Sequence, residues 1–349
     1  MNISVDHSLM QWMSAVLHGG AIPAFTIDEL KEKLARKPEE YIVHGFLPAN
    51  DVNVAVGDSG RGKTPLAYQL GICVAAGIPF LEMPTKQSRV LYLDLENGRN
   101  KRPPLAEDIC SVVGLDAVPD DFLIVEDRCE LGDVADTVEK YKPGLLIADT
   151  LRALAPEVEE SNPKMGRFLK DSRSIAQKNG CSFVYLHHVN KPREVEVVRG
   201  TLADNQVMDW LYKASGARAL VNQTNGRIGI DKADDNVVKN AALLMKWFVK
   251  LDGESENVYI ERVLDDNGNP IGYRRITGVG LLGNEEQQIA FTKLPARFTF
   301  KQAMRIYDKT DKPTREWLLK CIGAGILRQP EPRGAYERMD AHAGGRIIK

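Results

Sequence analysis

Eight consecutive residues, Gly57-Asp58-Ser59-Gly60-Arg61-Gly62-Lys63-Thr64, set glycines, a lysine and a hydroxyl at the spacing G-x-x-x-x-G-K-[ST]. This spacing suits the phosphates of a nucleotide. Glycines let the backbone curl so that successive N–H groups point inward, and a following helix adds partial positive charge at the same place. Lys63 would neutralise β- and γ-phosphate oxygens, and Thr64 would offer its hydroxyl to Mg2+, an ion that keeps several waters and needs few protein ligands. Pro65 stands where a first helical turn loses no donor. The alternative, a glycine-rich turn without a ligand, does not explain the apolar run VNVAV before it or the helical stretch PLAYQLGICVAAG after it.

Two further runs end in carboxylates. LLIAD at 145–149 leads to Asp149, at the position where a nucleotide enzyme needs the residue that orients the water shell of magnesium; an Asp-Thr pair could otherwise cap the next segment. VLYLDLENG carries Asp94 and Glu96 to the carboxyl end of another run, where open α/β sheets bind ligands. Strand alternation puts both on one face and does not choose between them, but Glu96 is the better placed to polarise an attacking water.

These residues need a parallel sheet to position them. Short apolar runs at 52–56, 90–95, 122–125, 145–149 and 182–186 alternate with longer amphipathic stretches, which predicts α/β architecture. Runs at 241–250, 257–264 and 270–279 follow, the last two separated by the turn signal Asp266-Asn267-Gly268-Asn269, and are expected to finish the sheet as antiparallel strands. Residues 1–36 read as a helical lead-in without a chemical motif. GNEEQQIA at 283–290 reads as a linker, with short helices expected at about 299–307 and 313–323 beyond it. The expected division is therefore 1–40, 41–282 and 283–349.

Composition narrows the class. The 349 residues are 43% hydrophobic and 27% charged, as in a globular protein, and no apolar run approaches the roughly 20 residues of a membrane span. A cytoplasmic location without membrane contact is expected. The five cysteines, 73, 110, 129, 181 and 321, lack CxxC spacing and read as reduced core residues. Net charge is only −2, yet residues 284–349 carry 13 Lys and Arg against 8 Asp and Glu, so basic charge gathers at the end of the chain.

Over residues 41–280 the ordered segments VAVGDSGRGKT, VLYLDLENG, LLIADTLRAL, GCSFVYLHHVNK and SGARALVNQTNGR resemble the RecA-like replicative helicases, in particular the plasmid RepA family of hexameric DNA helicases. The resemblance implies a RecA-like P-loop core with a mostly parallel central sheet, ATP and Mg2+ as cofactors, and a homo-oligomer, a hexameric ring, acting on single-stranded or forked DNA. By the same resemblance Glu96 is the catalytic carboxylate, Asp149 is associated with the metal, and His187 senses the γ-phosphate, with His188 on the opposite face. Arg227 would enter a neighbouring subunit's site, with Arg218 in reserve. Lys246 and Lys250 could also meet the neighbour's nucleotide. Residues 195–210 take the place of a loop that would face the ring's channel, which makes Lys191, Arg193 and Arg199 candidates for DNA phosphates.

The last segment, reading helix, turn, helix, strand, turn and short strand, resembles a winged helix-turn-helix that would present Thr314, Arg315 and Lys320 to a DNA groove, with Arg333 in the wing. The expected function is that of a Mg·ATP-dependent DNA motor of the helicase type. The alternative is a nucleotide-switched DNA-binding or recruitment ATPase that unwinds nothing.

Overall fold

Alternation along the central strands decides which residues share a face. In the computed structural model, described for residues 25–36, 40–96, 99–158, 162–188, 201–212, 217–233, 238, 240–250, 252–282, 284–331 and 334–339, the chain forms two compact units, Met1–Glu40 and Tyr41–Lys349. The first contains helix α1 (Ile27–Arg36). The second opens on a short antiparallel pair, β1 (Tyr41–Val43) and β2 (Leu47–Pro48).

Its main sheet contains β3 (Val52–Gly57), β4 (Val90–Asp94), β5 (Phe122–Val125), β6 (Leu145–Asp149), β7 (Ser182–His188), β8 (Gly226–Lys232), β9 (Ala241–Val249), β10 (Gly253–Glu254), β11 (Val258–Leu264) and β12 (Pro270–Arg275). The order is β12-β11-β9-β8-β3-β7-β6-β4-β5, with β10 paired to β9. Strands from β8 to β5 run parallel, and β9, β11 and β12 close the other edge antiparallel. The fold is α/β with a mostly parallel central sheet. The expected strands are present, and β8 adds one that the sequence reading missed, because its run RIGI follows an Asn-Gly turn signal directly.

Both faces are covered, which is why the parallel strands are nearly continuous apolar runs. On one face Ala55, Tyr92, Ile147, Val184 and Leu186 pack with helix α2 (Lys63–Ala76) and with Ala106 and Ile109 of helix α3 (Arg102–Val113). On the other, Val54, Leu91, Leu146, Phe183 and Tyr185 pack with Val134 and Val138 of α4 (Leu131–Tyr141) and with Met165 and Leu169 of a long helix, Asn162–Asn179. A one-turn helix, α5 (Leu151–Leu154), separates β6 from that long helix, α6. Two short helices, α7 (Val207–Leu211) and α8 (Ala217–Gln223), precede β8.

A third core, with Trp317 and Phe298 fully buried, lies beyond the main sheet. Around it are α9 (Glu285–Thr292), α10 (Phe300–Tyr307), α11 (Asp311–Gly323) and the small sheet β13 (Arg297–Phe298), β15 (Tyr336–Arg338) and β14 (Leu327–Arg328). The expected linker at 283–290 is instead largely helix. Asn284 caps it by accepting from the Gln287 N–H at 2.7 Å, Glu285 and Glu286 favour its positive end, and Ala290 and Phe291 are buried. Thr314 is also corrected. Its side chain is buried and donates to the Thr310 carbonyl at 2.8 Å, so it faces the core rather than a groove. Arg333 lies outside the described residues.

Candidate functional site

The phosphate loop leaves the carboxyl end of β3 and turns into α2. Gly62 stands before the helix at φ +81°, a conformation that requires glycine, and the Tyr273 hydroxyl occupies the space where a Cβ would lie. Gly57 is as tightly placed, since a Cβ would meet the Ile230 carbonyl at 2.7 Å. Asp58, Ser59 and Gly60 are exposed, and the Asp58 carboxylate accepts from the Ser59 N–H at 2.8 Å. Arg61 lies 3.8 Å from Asp58, and Pro65 sits in the first turn, whose N–H groups have no helical acceptors. No side chain caps the start of α2 and no acid lies in its first turn, which keeps this helix end suited to an anion.

Lys63 is buried. Its ammonium donates to the carbonyls of Gly57 and Asp58, each at 2.8 Å, and lies 3.2 Å from Nδ1 of His188. Burial lowers its pKa, and the carboxylates of Asp149, Asp58 and Glu96 oppose that shift. The Thr64 hydroxyl, one residue on, donates to Asp149 Oδ2 at 2.6 Å, and the Tyr92 hydroxyl donates to the same oxygen at 3.0 Å. Burial pushes the Asp149 carboxyl up to about 6; the two hydroxyls pull the other way, while Asp94 and Glu96 add to the rise. The Asp149–Thr150 peptide bond is cis.

Asp94 and Glu96 separate clearly. Asp94 is fully buried, accepting from the Tyr68 hydroxyl at 2.6 Å and pairing with Arg102 Nε at 3.0 Å. Glu96 is exposed beyond the end of β4, where Oε1 accepts from the Thr150 hydroxyl at 2.6 Å. It opens onto a cleft of about 960 Å³ that Arg128 and Arg152 also line. A second cleft, about 760 Å³, adjoins Gly60 and Arg61 and is lined further by Lys232 and Arg262.

The two histidines lie on opposite faces of β7, and it is His188 that meets the phosphate loop. His188, at an even position of β7, falls on the face of Val184 and Leu186 beside α2 and meets Lys63; His187 falls on the other face and is 1% exposed. The choice of His187 is corrected here by strand parity, because the phosphate loop lies over only one face. Arg227 is also corrected as a residue reaching out of the subunit. It is buried, donates from Nη2 to the Thr224 carbonyl at 2.8 Å, and lies over the Phe248 ring at 5.3 Å; burial lowers its pKa to about 10. Arg218, on α8, is exposed.

Lys246 pairs with Glu254 at 2.7 Å, and Lys250 points at the Asn222 carbonyl at 3.5 Å, so both have contacts within the chain. Lys191, Arg193 and Arg199 lie outside the described residues. Sequence reasoning missed Tyr92, Tyr68 and Arg102, read Thr150 only as part of a helix-capping pair, and set His188 aside as facing away from the site. Tyr92 had a signal, two residues before Asp94 on one strand face, as had Tyr68, four residues after Thr64 on one helix face. For Arg102 there was none.

Loop, lysine and uncapped helix end fit a nucleotide's phosphates, and the oxygens of Thr64 and Asp149 fit a hard cation. Among the described residues no cluster of three or more His, Cys, Asp or Glu could hold a metal ion unaided, so a cation here would draw its other ligands from water and phosphate. No helix among them is long and apolar enough to cross a membrane.

Residues 21–194 match the family model for the AAA domain, and over this stretch the chain is similar to AAA-type ATPases. That likeness supports ATPase activity. Among solved structures the chain is similar to the crystal structure of the RadB recombinase, with 16% identity and a TM-score of 0.42, covering 65% of this chain and 90% of that one.

Proposed function

We propose that this protein is a Mg2+-dependent ATP hydrolase acting on DNA as a motor of the replicative helicase type, assembled as a homo-oligomeric ring. The observation that carries the ATPase reading is the convergence of Lys63, Thr64 and Asp149 at the carboxyl edge of the sheet, with Thr64 and Asp149 2.6 Å apart.

In this reading Lys63 exchanges its bonds to the Gly57 and Asp58 carbonyls for β- and γ-phosphate oxygens, and the loop N–H groups hold the β-phosphate. Thr64 and Asp149 hold the magnesium, which when bound supplies neutralising charge at the phosphate oxygens. Glu96, oriented by the Thr150 hydroxyl, accepts a hydrogen bond from the attacking water and aligns it with the γ-phosphorus. His188, beside Lys63, responds to the γ-phosphate. Arg218 enters the neighbouring subunit's site, since Arg227 is committed to its own core. The cleft beside Gly60 and Arg61 is assigned to the nucleoside.

DNA contact rests on the basic charge gathered in residues 284–349 and on their helices and small sheet, which we read as a winged helix. One observation favours the second reading, a nucleotide-switched recruitment ATPase. The exposed side of α11 sets Asp311 and Glu316 among Lys312, Arg315 and Lys320, ties Arg315 to Asp311 at 2.5 Å, and leaves Leu319 66% exposed, a mixture suited to protein as well as to phosphate.

The test is ATP hydrolysis with and without single-stranded DNA, alongside sizing and displacement of a strand from a forked duplex. DNA-stimulated turnover by an assembled ring, with displacement that fails on a nonhydrolysable analogue, supports the motor. DNA-indifferent turnover by a monomer or dimer without displacement sinks it and leaves the switch.

A further inference from the structure

Asp94 and Asp149 close neighbouring strands in direct register and on the same face of the sheet. Either could receive a divalent ion by that criterion. Their partners differ. Asp94 is held by the Arg102 guanidinium at 3.0 Å and the Tyr68 hydroxyl at 2.6 Å, and Arg102 continues to Glu126 at 2.8 Å. Among the described residues Asp149 forms no ion pair at contact distance, and its carboxylate accepts from the hydroxyls of Thr64 and Tyr92.

The rings of Tyr68 and Tyr92 lie 4.3 Å apart, and their hydroxyls diverge, one to each carboxylate. Both donors on Asp149 converge on Oδ2, which fixes the rotation of the carboxylate and thereby the direction of Oδ1. Thr64 can keep that bond while its lone pair faces a metal, but its own position then depends on the ion. Tyr92 is fully buried in the core, outside the phosphate loop, so its bond to Asp149 is set by packing rather than by the loop.

We propose that Tyr92 is a positioning residue for the magnesium site, and that Arg102 with Tyr68 occupies Asp94 as a structural counter-charge, so that the ion is directed to Thr64 and Asp149 alone. The inference rests on the ATPase reading above. Groups that orient a ligand carboxylate commonly set metal affinity without touching the metal.

Tyr92→Phe and Tyr68→Phe remove one hydroxyl each from the same aromatic pair, so their comparison separates positioning from packing. Mn2+ binding to the full-length protein with ADP, read by electron paramagnetic resonance, is measured beside the Mg2+ dependence of hydrolysis and thermal melting. Tyr92→Phe is expected to weaken Mn2+ binding about tenfold and to raise the Mg2+ needed for half-maximal hydrolysis in proportion, with kcat retained at saturating Mg2+. Tyr68→Phe is expected to lower the melting temperature and leave Mn2+ binding unchanged. Equal weakening in both variants, or none in Tyr92→Phe, overturns the proposal. Failure of the wild-type protein to bind Mn2+ with ADP overturns the ATPase reading itself, and the inference with it.

Discussion

Lys63 Nζ lies 3.2 Å from His188 Nδ1, which joins the phosphate loop directly to the end of β7. The neighbouring His187 is buried on the opposite face of the same strand. His188→Ala should therefore lower kcat, by about 10- to 100-fold if the residue responds to the γ-phosphate, with little change in melting temperature. His187→Ala should instead lower the melting temperature by removing a buried polar side chain, a change worth about 1–3 kcal/mol. Steady-state kinetics and thermal melts on both variants check this pair. Kinetic loss in His187→Ala alone would reinstate that residue.

Lys63→Ala should abolish measurable hydrolysis, a loss of at least about 100-fold, because no other cation among the described residues lies within hydrogen-bonding reach of the loop carbonyls of Gly57 and Asp58. The variant should still fold, since the substitution removes a buried cation whose hydrogen bonds are to two loop carbonyls and which lies beside the His188 ring, and leaves the apolar core intact. Circular dichroism and phosphate release measure the two parts.

Asp149 gives a pH dependence with a definite sign. Its folded pKa, about 6, lies above the ordinary 3.8, so the fold binds the proton more tightly than the unfolded chain does. The stability contributed by the protonated form is fully present below pH 3.8 and is lost as pH rises through 6. At neutral pH the charged group costs about 3 kcal/mol. Asp149→Asn, melted without nucleotide or Mg2+, should therefore gain stability over the wild type as pH rises from 4 to 7 while losing hydrolysis. A pH-independent difference would show that burial of this charge does not govern the trend.

Arg227 and Arg218 separate by exposure. Arg227→Ala should lower the melting temperature of the subunit, because the side chain is buried against Phe248 and bonded to Thr224. Arg218→Ala should melt as the wild type does and lose hydrolysis in the assembled form, by about 1,000-fold if it stabilises the transition state from a neighbour. Mixing Lys63→Ala subunits with Arg218→Ala subunits should restore part of the activity, since some interfaces then hold an intact lysine and an intact arginine. No recovery on mixing would show that Arg218 does not act between subunits.

The sequence by itself determined the phosphate loop, the strand runs and the carboxylate at the end of β6, because each depends on neighbours within a few residues. Glycine spacing forces the curl before α2, and two-sided burial makes the parallel strands continuous apolar runs, so both are written locally. Tertiary structure decided which member of each ambiguous pair faces the site. His188 rather than His187, and Glu96 in the open with Asp94 committed to Arg102, follow from which sheet face α2 covers and from where α3 brings its guanidinium. Arg227 is buried because β8, unrecognised in the sequence, is an interior strand between β3 and β9. Facing, pairing and burial arise between segments far apart in the chain, and local spacing carries no record of them.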